Sequence, residues 1–141
     1  MYTIAALYHF SRFDDPSALK AALLDLCIAH GVEGTLLLAR EGVNGTIAGP
    51  DAGILAVITH LRALPGCADL DWKKATSENR PFGKMKVKIK REIVTMGQPD
   101  VDPLARVGNY VDPCDWNDLI ASPDVAVIDT RNDYEVAIGT F

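Results

Sequence analysis

Val32-Glu33-Gly34-Thr35-Leu36-Leu37-Leu38-Ala39-Arg40-Glu41-Gly42-Val43-Asn44-Gly45-Thr46-Ile47-Ala48 reads as strand, turn and strand in one stretch. Val32–Arg40 is nearly all apolar through Leu36-Leu37-Leu38, as a strand inside a sheet would be. Turn chemistry follows at Glu41–Gly45, where Gly and Asn tolerate positive φ. A short strand then runs to about Ala48. Two strands this close in sequence form an antiparallel hairpin. Upstream, residues 2–10 mix β-branched and aromatic residues in a further strand. Asp14-Asp15-Pro16 then supplies a carboxylate N-cap and a first-turn proline. Leu19, Leu23, Leu26, Cys27 and His30 recur at helical spacing, and Gly31 is a natural stop. Downstream, Pro50-Asp51 opens a second helix with Ile54, Val57, Ile58, Leu61 and Leu64 on one side, closed by Pro65-Gly66. Ala68–Ala75 reads as a fourth strand.

The order β-α-β-β-α-β within about 75 residues matches the ferredoxin-like split βαβ unit, an α+β fold. Its two crossover helices cover one face of an antiparallel sheet and leave the other face or an edge available. A polar loop over residues 76–83 holds Pro81 and Gly83. Beyond it, Lys84, Lys86, Lys88 and Lys90 alternate with Met85, Val87 and Ile89. Period-two alternation puts the four lysines on one face of an extra, fifth strand. Arg91-Glu92-Ile93-Val94 reads as its continuation.

After Gly97 the pattern changes. Residues 98–113 hold three prolines, several aspartates and little periodicity, as a linker would. Asp112-Pro113 can cap a short helix through Trp116, Leu119 and Ile120. Val125-Ala126-Val127-Ile128-Asp129 has the composition of a buried parallel strand, and Thr130-Arg131-Asn132 reads as a helix start. The expected organisation is a ferredoxin-like domain over 1–96, a linker over 97–110, and the truncated start of an α/β domain over 111–141. A lone buried-type strand lacks neighbours, so residues 111–141 are expected to pack weakly or to swap between copies.

The net charge of −5 over 141 residues hides an asymmetry. Residues 1–91 carry 12 Lys+Arg against 9 Asp+Glu, whereas residues 92–141 carry 2 against 10. Lys73, Lys74, Arg80, Lys84, Lys86, Lys88, Lys90 and Arg91 make up 8 of the 14 cations. A local basic face of this kind binds phosphate even in an acidic protein. The start of the chain lacks a secretory signal's basic n-region, and no apolar run approaches the ~18 residues of a membrane span. Cys27, Cys67 and Cys114 stand far apart, with no Cys-x-x-Cys pair and no zinc-ligand spacing. A soluble, cytoplasmic protein without a metal is the expectation, with Cys27 packed in the core of its helix.

Phosphate-binding glycine loops, His-Glu-x-x-His and nucleophile-elbow serines are all missing, and His9, His30 and His60 have no ligand-like neighbours. No catalytic constellation can be assembled from these residues. The lysine strand has two readings. Lysines discourage edge-to-edge pairing of a sheet edge. Yet four on one face, flanked by Arg80 and Arg91 with no acid from Pro81 to Arg91, repel one another until a polyanion neutralises them. Arg80, Lys84, Lys86, Lys88, Lys90 and Arg91 are therefore the candidate phosphate-contacting set. The stretch holding Arg40, Glu41 and Asn44 is either turn geometry alone or a rigid polar loop that touches substrate or a second domain.

Several of these stretches resemble one family, the bacterial rhodanese-domain tRNA uridine hydroxylases. They are Tyr8-His9-Phe10 with the helix after Asp15-Pro16; Arg40-Glu41-Gly42-Val43-Asn44-Gly45-Thr46-Ile47; and Pro81-Phe82-Gly83-Lys84-Met85-Lys86-Val87-Lys88 through Glu92-Ile93-Val94 and Gly97. Gly108-Asn109-Tyr110 and Val127-Ile128-Asp129-Thr130-Arg131-Asn132-Asp133-Tyr134-Glu135 resemble the entry into that family's rhodanese domain. The likeness runs nearly end to end, and the combination is more specific than any part.

The resemblance implies a ferredoxin-like (acylphosphatase-like) N-terminal domain followed by a rhodanese domain. It implies wobble-uridine 5-hydroxylation of tRNA with molecular oxygen as co-substrate. The essential cysteine is expected beyond Phe141, so this fragment holds no catalytic residue and no cofactor of its own. Its implied partners are tRNA and its own C-terminal rhodanese domain, with no membrane. Asp129 and Arg131 match a rhodanese strand-end motif and read as scaffold. Two alternatives stand beside it: a rhodanese-type sulfurtransferase, and a non-enzymatic RNA- or protein-binding module.

Overall fold

The structure, a computed structural model, describes residues 1–98 and 100–140. Pro99 of the expected linker and Phe141 lie outside the described residues. The chain divides into two compact units, Met1–Arg106 and Val107–Phe141.

In the first unit the elements run β1 (Tyr2–Phe10), α1 (Pro16–Ala29), β2 (Glu33–Ala39), β3 (Gly42–Gly49), α2 (Asp51–Arg62), β4 (Trp72–Ser77) and β5 (Met85–Ile89). The sheet order is β4-β1-β3-β2-β5, antiparallel throughout except for β5, which runs parallel to β2. This is the α+β, acylphosphatase-like arrangement with an extra edge strand. Both helices lie on one side. Leu23 and Cys27 of α1 and Ile54, Val57, Ile58 and Leu61 of α2 pack on Ala5, Leu7, Leu36, Leu38, Val43, Ile47 and Val87 of the sheet. Strand residues of the opposite parity face away from the helices, since side chains alternate along a strand.

Local chemistry sets the boundaries. Asp15 caps α1 by accepting from the backbone N–H groups of Ser17 and Ala18, with Pro16 at the first position. This satisfies two of the donors that a helix start leaves open. The β2–β3 turn is tighter than its composition suggests: Arg40 and Glu41 alone form it, and Gly42–Gly49 is strand. Gly42 has φ +140°, and a Cβ there would lie 2.0 Å from the His9 carbonyl oxygen of β1. At Gly45 a Cβ would lie 2.1 Å from the Thr35 carbonyl oxygen of β2. The glycines stand where neighbouring backbones approach, so their role is packing of the sheet itself.

Three expected elements differ. The fourth strand begins at Trp72, not Ala68, because Pro65–Leu70 folds into successive turns that bury Cys67 and Leu70 while Arg62 donates twice to the Leu70 carbonyl. The fifth strand ends at Ile89, and residues 91–94 do not continue it. Instead Ile93 turns inward and is 2% exposed. Its backbone N–H donates to the Glu41 side chain and its carbonyl accepts from the Asn44 amide. An apolar side chain buried with both backbone groups satisfied outweighs two more residues of an edge ladder.

The second unit holds α3 (Trp116–Ala121) and the single turn α4 (Asp133–Val136). The expected strand Val125–Asp129 is not formed, and none of the described residues 107–140 is buried. A strand needs a neighbour to take its N–H and C=O groups, and no described residue of this unit lies beside it as one. Asn132 and Glu135 form a capping box at the start of α4.

Candidate nucleic-acid interface

Lys86 and Lys88 pair in register with Thr35 and Leu37 of β2, whereas Val87 between them pairs with Leu36 and enters the core. The alternation therefore has its expected consequence: the apolar residues face the helices and the lysines face the open side. Lys84 and Lys90 flank the strand, tied by the bonds Gly34 N–H to Lys84 carbonyl and Lys90 N–H to Leu38 carbonyl. Lysines two apart along a strand sit about 6.7 Å from each other. Among the described residues, none of Lys84, Lys86, Lys88, Lys90 and Arg91 forms an ion pair within 4.0 Å.

The members of the set are not all in one place. Lys84 and Lys86 line a groove of ≈ 360 Å³ with Gly34, Thr35, Phe82 and Gly83. Lys90 and Arg91 line a second one of ≈ 620 Å³ with Arg40, Asp14, Asp15 and the start of α1, where two carboxylates offset the cations. Arg80 is already engaged. Its guanidinium holds the Glu33 carboxylate through two nitrogens, Nε at 2.8 Å and Nη2. That pairing keeps Glu33 below the usual carboxylate range, chiefly through the hydrogen bond. Glu41 and Asn44 use their side chains on the Ile93 backbone, while Arg40 is exposed.

Two cations of the basic cluster that stood outside the candidate phosphate-contacting set separate cleanly. Lys74 faces the helices and pairs with Asp51 at 2.7 Å, beside the Thr3 hydroxyl on the same oxygen. Lys73 faces the open side, in register with Ala6. The register of β4 with β1 decides which face each takes, since Ala5 beside Lys74 is a core residue and Ala6 beside Lys73 is not.

In the second unit, Arg131 holds Asp129 through Nε at 2.9 Å and Nη2 at 2.6 Å and also donates to the Gly139 carbonyl. The guanidinium holds the Asp129 carboxyl well below its ordinary range. This bidentate pair braces a turn.

Burial pushes the Cys27 thiol up to about 11 and raises that of Cys67 as well, whereas Cys114 is exposed. A raised pKa leaves little thiolate below pH 9, and the thiolate is the nucleophile. At pH 8 the folded chain is expected to alkylate at Cys114 alone, with Cys27 and Cys67 reacting only after denaturation. Mass mapping checks this, and Cys27 labelling as fast as Cys114 contradicts it. Among the described residues no three or more metal-ligating side chains come together, and no helix is long and apolar enough to cross a membrane.

Comparison with known proteins adds three findings. The chain is 77% identical over 141 residues to a protein of Ruegeria pomeroyi named tRNA uridine(34) hydroxylase, covering all of this chain and 47% of that one. It is 73% identical over 141 residues to a protein of the same name from Roseobacter denitrificans, covering all of this chain and 48% of that one. The chain thus spans about half the length of the curated relatives it matches. Among solved structures, BlrP1 BLUF aligns with TM-score 0.51 at 20% identity over 64% of this chain and 65% of that one, a likeness of fold. The model of the UPF0176 acylphosphatase like domain matches residues 2–93, and the chain belongs to that family.

Proposed function

We propose that this chain is the N-terminal, tRNA-positioning part of a cytoplasmic tRNA uridine(34) hydroxylase. The observation that carries the proposal is the identity of 77% along the whole chain to a protein of that name. Physical chemistry supplies the division of labour. Among the described residues, the two thiols of the first unit are buried and held protonated and no acid, base and nucleophile come together, but a cationic strip lies on an open sheet face. Lys84, Lys86 and Lys88, with Lys90 and Arg91 beyond the strand end, contact the phosphate backbone and set the position of the RNA. Chemistry falls to a rhodanese domain in the rest of the protein, which supplies the essential cysteine and uses molecular oxygen as co-substrate. The Asp129–Arg131 brace belongs to the start of that domain. Glu41 and Asn44 act indirectly, by holding the segment that follows β5.

Wobble-position nucleosides from a strain lacking the gene test the reaction. Loss of an oxygen-bearing uridine with the sulfur-bearing ones intact is expected. Loss of a thiolated uridine instead assigns the protein to sulfur transfer and overturns hydroxylation. An unchanged nucleoside profile points to a binding module.

A further inference from the structure

The strand register aligns Lys73, Ala6, Thr46, Thr35 and Lys86 in one row across all five strands on the open face. The middle of the row is small and flat, and both ends are ammonium groups. Four strand-to-strand steps of about 4.8 Å put the two rims roughly 19 Å apart. The next row is Tyr8, Asn44, Leu37 and Lys88, with the Tyr8 ring 51% exposed. On the other side, Glu33 is the one carboxylate among the strand residues of this face, and Arg80 holds it. The floor is thus bounded by the Arg80–Glu33 pair at one end of the strands. At the other end, Ile93 is anchored to Asn44. At the β5 rim the groove of ≈ 360 Å³ adds the half-buried Phe82 ring beside Lys84 and Lys86.

We infer that a single-stranded RNA segment lies across this row, its phosphates at the Lys73 and Lys86 rims and one base on Phe82. The inference rests on the tRNA-positioning reading and sharpens it from backbone contact along one strand to a whole face. The chemistry favours a single strand over a duplex. A duplex hides the faces of its bases, so a flat floor and an aromatic ring between two cationic rims have nothing to touch. Unstacked loop bases present those faces, and the small side chains at Ala6, Thr46 and Thr35 leave room for them. The strand residues of the face carry net positive charge, with their single carboxylate paired, and this supplies complementarity to phosphate.

The test uses the full-length protein, a fluorescent RNA stem-loop carrying an unpaired uridine-containing loop, and a blunt, fully paired two-strand RNA duplex with the same number of nucleotides. Lys73→Glu is expected to weaken loop binding about 5–10-fold, as Lys86→Glu does, by loss of a phosphate contact. Lys20→Glu, on the exposed side of α1, serves as the control and is expected to stay within about 2-fold. Phe82→Ala is expected to weaken the loop about 5-fold or more while leaving the duplex little changed, because stacking needs an exposed base. Unchanged melting temperatures confirm that the variants are folded. Lys73→Glu at the level of the control, with Lys86→Glu still weakened, overturns the face-wide site and leaves the lysine-strand reading standing. No loss in either variant overturns both. Equal losses for loop and duplex overturn the single-strand assignment.

Discussion

Replacing Gly42 by alanine is expected to cost about 3 kcal/mol of stability, the scale of a strained backbone position combined with a forced clash. Two independent penalties act. The residue sits at φ +140°, which side-chain-bearing residues rarely adopt, and its new Cβ would lie 2.0 Å from the His9 carbonyl oxygen and 3.0 Å from the Phe10 Cα. Those atoms belong to β1, and Gly42 pairs directly with Phe10, so relief requires pulling two central strands apart. For a domain of this size the melting temperature should fall by roughly 10–20 °C. Gly83→Ala is the matched control, since nothing lies within 4 Å of a Cβ there and its φ is not in the left-handed range. It should leave stability within about 0.5 kcal/mol. Chemical denaturation of both variants checks the pair. Equal stabilities would mean that the Glu-Gly-Val-Asn stretch is not held by strand contact, and the substrate-contact reading of that loop would gain.

Reversing the charge of the lysine strip has the largest expected effect on function. In the full-length protein, Lys84→Glu, Lys86→Glu and Lys88→Glu together replace three attractive phosphate contacts with three repulsive ones. Each phosphate contact contributes about one unit to the slope of affinity against salt. Affinity for tRNA near physiological salt should drop on the order of 100-fold or more. The three side chains are exposed, so folding should be little affected, and cellular modification of the wobble uridine should fall with binding. Lys90→Glu alone should do less, because Asp14 and Asp15 line its cavity and already offset its field. A triple variant that binds tRNA as the parent does would reduce these lysines to guardians of a sheet edge.

What the sequence disclosed follows from where its periodicity was clean. β1 was legible from its β-branched and aromatic run, α1 from the Asp15-Pro16 start and its leucine stripe, and the lysine face from strict alternation around Val87. Each is a local pattern that a single element creates. The features that escaped are pairings between residues distant in sequence. Arg80 reaches Glu33 across 47 positions, and Asn44 reaches the Ile93 carbonyl across 49. Neither leaves a periodic trace, so Arg80 read as one more open cation and Asn44 as an open amide. Lys73 and Lys74 are adjacent and so take opposite faces, and only the register of β4 with β1 shows which of them joins the open one. Val125–Asp129 has the composition of a strand without the neighbour a strand requires, and composition alone does not report neighbours. The candidate site was therefore half legible: its charge was visible, while the floor between Lys73 and Lys86 exists only once the sheet is assembled.

The central claim is that ammonium groups on the open sheet face hold the RNA backbone, and salt dependence tests it most directly. The affinity of the full-length protein for tRNA, measured from low to physiological salt, should fall steeply on a double-logarithmic plot. The Lys84→Glu, Lys86→Glu, Lys88→Glu variant should show a slope shallower by about three units. Parallel lines for parent and variant would contradict the account, because phosphate contacts that release no counterions are not being made.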